Sequence, residues 1–312
     1  MAFRSVATIL GTGSLDEEWV NRVVEVTSTM EFELSDQGVR HLAGVWDGLS
    51  ARLATRAGYD GLFISGAAVS ASLGLPDAEL TTRDDTLRAL WAVTRSTHLP
   101  VLVDMDTGYG DAVTFRHSVQ EMVRAGAAAV MLEDQVSPKP GAIVSGAPPA
   151  LASIEDVCAK VAAARDVAGN RVVLVVRSDA GPADLIERLT AYGAAGAGVL
   201  FPLVFDDSLP VEQWRRLADL TGKPLACTLA PNTWIEATMT DDVARSAGVR
   251  LVVHSLHALL ASVTAIEKTY RRLRAGEPAA QVSADAVGYS HVSTIVESAR
   301  VKELRSKLTR PA

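Results

Sequence analysis

The chain has 312 residues, 48% of them hydrophobic, which is enough apolar material for two average domains or for one α/β barrel of about 250 residues. A formal charge of −7 speaks against a nucleic-acid partner, which calls for a basic face, and the group Arg271, Arg272 and Arg274 reads as solvated charge near a helix end. Polar residues break the apolar runs too soon for a membrane-spanning helix of about 20 residues, and Cys158 and Cys227 are too few for a disulfide framework, so a reducing cytoplasm is expected.

Residues 1–36 precede any repeating pattern. Met1 to Gly13 makes a poor signal peptide, and Leu15–Thr27 reads as an amphipathic helix packing on the main domain or on a neighbouring subunit. From about residue 39 a short apolar run, a loop with Gly, Asp or Ser, and an Ala/Arg-rich helical stretch recur in turn. The expected strands are Val39–Trp46, Gly61–Ser65, Val101–Asp106, Ala129–Asp134, Arg171–Asp179, Gly198–Leu203, Pro224–Leu229 and Val249–His254. About eight such strands are what a (β/α)8 TIM barrel over 37–275 requires, with an open doubly wound sheet as the competing architecture. Gly58, Gly126, Gly196 and Gly248 mark expected helix ends, where a left-handed residue turns the chain toward the next strand. Residues 276–312 form a tail, helical over Tyr289 to Leu308.

Within the third strand the apolar run ends in Asp104-Met-Asp-Thr-Gly-Tyr-Gly110. Residues two apart in a strand share a face, so Asp104 and Asp106 would offer oxygen ligands to one point, as a hard cation such as Mg²⁺ requires. One carboxylate capping the next helix while the other is solvated is the alternative. Glu133 and Asp134 close the fourth strand, and Arg177 and Asp179 the fifth. Several acids at one barrel mouth repel unless a cation or an arginine offsets them, which argues for a metal or for a salt-bridge network centred on Arg177. Ser65-Gly-Ala-Ala68 could bring backbone N–H groups to an anion or simply turn the chain, and Asp77 adds a carboxylate to the same loop. Trp46 and Phe63 line the pocket or its floor, Asn232 and Trp234 stand where they could select substrate, and His254 and His257 either touch substrate or pack under the last strand end. The Pro/Gly/Ala-rich stretch after the fourth strand has the length of a binding loop.

Ser65-Gly66, Gly74-Leu-Pro-Asp77, Asp104-Met-Asp-Thr-Gly-Tyr-Gly110, Glu133-Asp-Gln135 with Pro138-Lys139, and Val176-Arg-Ser-Asp-Ala180 together resemble the isocitrate lyase/phosphoenolpyruvate mutase superfamily over residues 37–275. The resemblance implies a (β/α)8 barrel, commonly a homotetramer, with its last helix exchanged between subunits and the C-terminal tail packed on a neighbour. It implies Mg²⁺, with Mn²⁺ as a substitute, and a small oxo or hydroxy acid as substrate. By that resemblance Asp104 binds the metal directly, with Asp106 and Glu133 acting through waters; Ser65, Gly66 and Ala67 hold the substrate carboxylate. Arg177 neutralises an enolate oxygen, and Asp77 and Lys139 complete the catalytic set. The sequence departs where lyases of the group carry Lys-Arg/Lys-Cys-Gly-His: Lys139-Pro-Gly-Ala142 supplies no acid cysteine. It also lacks the mutases' Asn-Ser in the same loop. The region around Gly248–His257 resembles the mutase, phosphonopyruvate hydrolase and oxaloacetate decarboxylase branch. Carbon–carbon lyase or decarboxylase chemistry through a pyruvate-like enolate is the first expectation, phosphorus–carbon chemistry the second, and metal and anion binding without turnover the third.

Overall fold

Alternation along short apolar strands decides which side chains enter this molecule's interior. The computed structural model describes Leu34 and residues 38–140, 149–169 and 172–308. Eight strands run β1 (Arg40–Val45), β2 (Gly61–Ile64), β3 (Val101–Asp104), β4 (Ala129–Glu133), β5 (Val173–Ser178), β6 (Val199–Pro202), β7 (Leu225–Thr228) and β8 (Val249–His254). Each pairs in parallel with the next, and β8 pairs with β1, which closes the barrel and removes the open-sheet alternative. Leu42, Phe63, Leu102, Met131, Val175, Phe201, Leu251 and Val253 fill the interior. Their neighbours in sequence, such as Ile64, Val103, Val130, Leu174, Leu200 and Val252, face outward into the layer beneath the helices.

The helices are α1 (Gly48–Ala57), α2 (Gly66–Ser72), α3 (Arg83–Thr94), α4 (Ala112–Arg124), α5 (Ile154–Ala168), α6 (Pro182–Ala195), α7 (Val211–Thr221), α8 (Trp234–Thr238), α9 (Asp241–Ser246), α10 (His257–Arg274), α11 (Ala279–Val282), α12 (Tyr289–Ile295) and α13 (Ser298–Leu308). Asp47, Thr82, Asp111 and Ser153 accept backbone N–H groups at the starts of α1, α3, α4 and α5. The four glycines read as helix ends all have positive φ, at 84°, 93°, 118° and 79° in chain order. Trp214 and Tyr192 are fully buried against the outer strand faces; each such aromatic contributes roughly 2–3 kcal/mol by leaving water.

Most strands are shorter at their ends than the apolar runs suggest, and Asp106, Asp134 and Asp179 lie just beyond them. The N-terminal helix expected at Leu15–Thr27 lies outside the described residues. In the tail, Ile295 is buried, and Arg52 of α1 donates to its carbonyl at 3.2 Å and pairs with Glu297 at 3.2 Å, so this stretch lies on its own chain's barrel. The long helix α10 contains no buried residue, and Leu260, Val263, Ile266 and Tyr270 are exposed along it. Among the described residues no helix is long and apolar enough to cross a membrane.

Candidate active site

Leu102 points into the barrel, Val103 away from it, and Asp104 therefore inward at the strand's C-terminal end. Beyond the strand, Asp106 and Tyr109 take positive φ values of 49° and 63°, with Gly108 at 97° between them. This curl brings Asp106 back over Asp104, whose Oδ1 accepts the Asp106 N–H at 3.1 Å. The curl has no spare room: a Cβ on Gly108 would stand 2.7 Å from Phe115 of α4. On β4, Glu133 follows Met131 into the interior and donates its N–H to the Asp106 carbonyl at 2.8 Å. Asp104, Asp106 and Glu133 are 6%, 3% and 2% exposed, and one carboxylate oxygen of each lies within 4.8 Å of the others.

Two cations face these acids. Arg177, in register with Glu133 across β4 and β5, donates to Glu133 Oε1 at 2.5 Å and grips Asp179 with two bonds of 2.7 Å. Lys139, 4% exposed, places its ammonium 2.5 Å from Asp106 Oδ1, 3.3 Å from Asp77 and 3.4 Å from Glu133. Gln135 donates to Asp179 at 2.6 Å and to Glu133 at 3.2 Å. Against Asp77, Asp104, Asp106, Glu133 and Asp179, Lys139 and Arg177 leave negative charge in excess. Burial pushes Glu133 up to about 8, although Arg177 and Lys139 pull it down. Burial, then the neighbouring Asp104, raises Asp106 to about 6. For Lys139, burial works against the charge, but the four surrounding carboxylates outweigh it and hold the ammonium protonated.

This donor set fits a hard divalent cation. The oxygens converge, and Asp106 Oδ1 accepts no hydrogen bond, its close approach to Lys139 having the geometry of an ion pair alone. A Cβ at Gly66 would press on Asp104 at 3.1 Å and on Asp106 at 3.2 Å, so this glycine preserves the space. Asp104, Asp106 and Glu133 are the residues that would hold the ion.

Other expected site residues fall in different places. Gly66 donates its N–H to Asp104 at 3.2 Å, Ser65 is buried and caps α2, and Ala67 is half-buried beside them. Phe63 belongs to the interior floor, whereas Trp46 is half-buried against the outer core. Asn232 is exposed, at φ 65°, with its N–H on Glu236 at 2.7 Å. Asp134 must face opposite to Glu133: its Oδ2 accepts from Ser178 at 2.6 Å and from Tyr192 at 3.1 Å, so it fastens β4 to β5 and α6 instead of serving the mouth. His254 likewise points outward, because Leu251 and Val253 take the interior positions of β8. It stacks on His41 with its Nε2 3.1 Å from His41 Nδ1, and His257 pairs with Glu236 at 2.8 Å, so these histidines form an outer cluster. Burial, then His41 and His257, lowers the His254 pKa. Cys227 is fully buried in the outer layer, its thiol pushed up to about 12 by burial. Glu79, which no sequence pattern marks, accepts the Lys139 N–H at 2.9 Å and the Thr107 hydroxyl.

A closed eight-stranded parallel barrel with buried acids, an arginine and a lysine gathered past the C-terminal ends of its strands defines a barrel enzyme suited to stabilising an oxyanion. The chain belongs to the phosphoenolpyruvate phosphomutase family, whose model matches residues 32–274. The 2-methylisocitrate lyase of Aeropyrum pernix is 37% identical over 237 residues, 74% of either chain. The solved phosphoenolpyruvate phosphomutase of Streptomyces platensis subsp. rosaceus superposes with a TM-score of 0.81 at 26% identity, over 93% of this chain and 99% of that one. A phosphonopyruvate hydrolase solved with oxalate and Mg²⁺ superposes with a TM-score of 0.76 at 25% identity, over 87% and 95%. The protein is thus an enzyme of this family, similar in sequence to a carbon–carbon lyase.

Proposed function

We propose that the protein is a Mg²⁺-dependent lyase or decarboxylase that breaks a carbon–carbon bond in a small α-oxo or α-hydroxy dicarboxylate, leaving a pyruvate-like enolate. The observation that carries this reading is the convergence of three buried carboxylates, with Arg177 fixed on Glu133 at 2.5 Å. A divalent ion, Mg²⁺ or in its place Mn²⁺, held by Asp104, Asp106 and Glu133 supplies Lewis-acid stabilisation of charge on substrate oxygens when bound. The chain's own contribution is preorganisation. Asp179 and Glu133 lock the Arg177 guanidinium, so a positive charge stands ready for a developing oxyanion without reorganising. Lys139 adds a second fixed charge, held by Asp77. Ser65, Gly66 and Ala67 open the helix beside the acids, where the Gly66 N–H is donated to Asp104 and the Ser65 hydroxyl and the Ala67 N–H are the groups left to meet a substrate carboxylate, while Phe63 forms the floor and Asn232 the approach.

Likeness to the phosphomutase and to phosphonopyruvate hydrolase supports a second reading, cleavage or rearrangement of a phosphorus–carbon bond. The exposed apolar stripe of α10 supports a homo-oligomer, dimer or tetramer, in which this helix packs on a neighbour while the tail around Ile295 stays on its own barrel. A cytoplasmic setting suits both the reaction and the two thiols. The deciding experiment measures pyruvate release with Mg²⁺ from oxaloacetate, 2-methylisocitrate, dimethylmalate and phosphonopyruvate in parallel. Turnover of a carbon acid supports the first reading, and turnover of phosphonopyruvate alone supports the second.

A further inference from the structure

Resting on the reading just given, we propose that Glu79 is a positioning residue, which ties the loops after β2, β3 and β4 together and thereby sets where Lys139 stands among the acids. Glu79 lies at φ 56°, a left-handed conformation that strains a non-glycine residue. A glycine would sit there without that strain, so the side chain calls for an explanation. One of its carboxylate oxygens accepts the Thr107 hydroxyl from the Asp104–Gly110 curl. The other accepts the Lys139 N–H at 2.9 Å. The Thr107 carbonyl in turn accepts Lys160 Nζ of α5 at 2.7 Å, which anchors the far side of the bridge.

Lys139 is therefore held from both ends by one short segment. Asp77 pairs with its ammonium at 3.3 Å, and Glu79, two residues on, takes its main-chain N–H. Thr107 and Lys139 are both buried, where an unpaired amide or hydroxyl is destabilising, so these contacts are not idle surface pairs. The competing explanation is that the turn alone forces a positive φ and the carboxylate's contacts are incidental.

Glu79→Gly separates the two, because it relieves the backbone while removing the bridge. Pro138 and Pro140 carry no N–H, so the amide of Lys139 is isolated between them and its hydrogen exchange reports directly on the Glu79 contact. In Glu79→Gly we expect a lower Tm, because the Thr107 hydroxyl and the Lys139 N–H lose their buried acceptor, with Lys139 exchange faster by about tenfold or more and a kcat lower by about tenfold at a KM within about threefold. Glu79→Gln keeps an acceptor for the amide and restores most of both values; it also serves if the glycine variant folds poorly. Unchanged exchange overturns the bridge, and faster exchange with unchanged kcat overturns the positioning role. If no substrate is turned over, the proposed function fails while the exchange measurement still decides the bridge.

Discussion

Glu133 and Arg177 stand directly opposite each other on β4 and β5, and the pairing of their backbones sets the 2.5 Å contact of their side chains. The two strands thus deliver an acid and its counter-ion to the barrel mouth as one unit. Removing the arginine leaves Glu133 and Asp179 buried without their partner. We expect Arg177→Ala to lose roughly 10²–10³ in kcat, the scale of one oxyanion contact, together with several kcal/mol of stability. Arg177→Lys restores charge but not the planar fork that grips Asp179, so it should recover stability more than rate. Steady-state kinetics and thermal melts of the two variants check this.

Metal affinity should rise with pH. Carboxylates bind metal only when deprotonated, and burial holds Asp106 near about 6 and Glu133 near about 8. Below pH 6 both carry protons that a cation must displace; above 8 neither does. Calorimetric Mg²⁺ titrations at pH 5.5, 7 and 8.5, or about those values, should show tightening across this window. A flat profile would remove these groups from the ligand set.

The curl after β3 should be intolerant of a single methyl group. Gly108→Ala adds a strained φ and a 2.7 Å clash with Phe115, so a loss of about 2–4 kcal/mol is expected. Gly58→Ala makes a control, since its Cβ meets nothing and only the left-handed penalty of about 1 kcal/mol applies. Thermal melts of both variants give the comparison, with Gly108→Ala also losing metal binding.

His254→Ala should leave KM and kcat within about twofold of the parent while lowering Tm, because its side chain joins His41 and His257 outside the barrel. A large rise in KM would show that the outer cluster reaches the substrate after all.

Replacing Val263 and Ile266 with Glu should shift the assembly toward monomer in sedimentation, since both lie exposed on a helix that buries none of its residues within one chain. An unchanged sedimentation coefficient would place the subunit contact elsewhere.

The barrel was legible because the strands are compact apolar runs and Gly58, Gly126, Gly196 and Gly248 end helices between them, and Asp104, Asp106, Glu133 and Arg177 because they interrupt such runs at their ends. Alternation explains what went astray. Asp134 and Glu133 are adjacent on the chain and so cannot both face the mouth, and His254 sits one residue past the inward Val253. Glu79 was illegible for another reason: its partners, Thr107 and Lys139, lie 28 and 60 residues away, and no local pattern announces a left-handed glutamate.

Mg²⁺-dependent pyruvate release from the oxo- and hydroxy-acid panel, compared between the parent and Asp104→Ala, tests the metal-held enolate directly. A carbon acid should turn over only with Mg²⁺, and turnover should fall to background in Asp104→Ala with the fold intact by circular dichroism. Turnover that persists in Asp104→Ala, or that needs no divalent ion, would contradict a metal-held enolate.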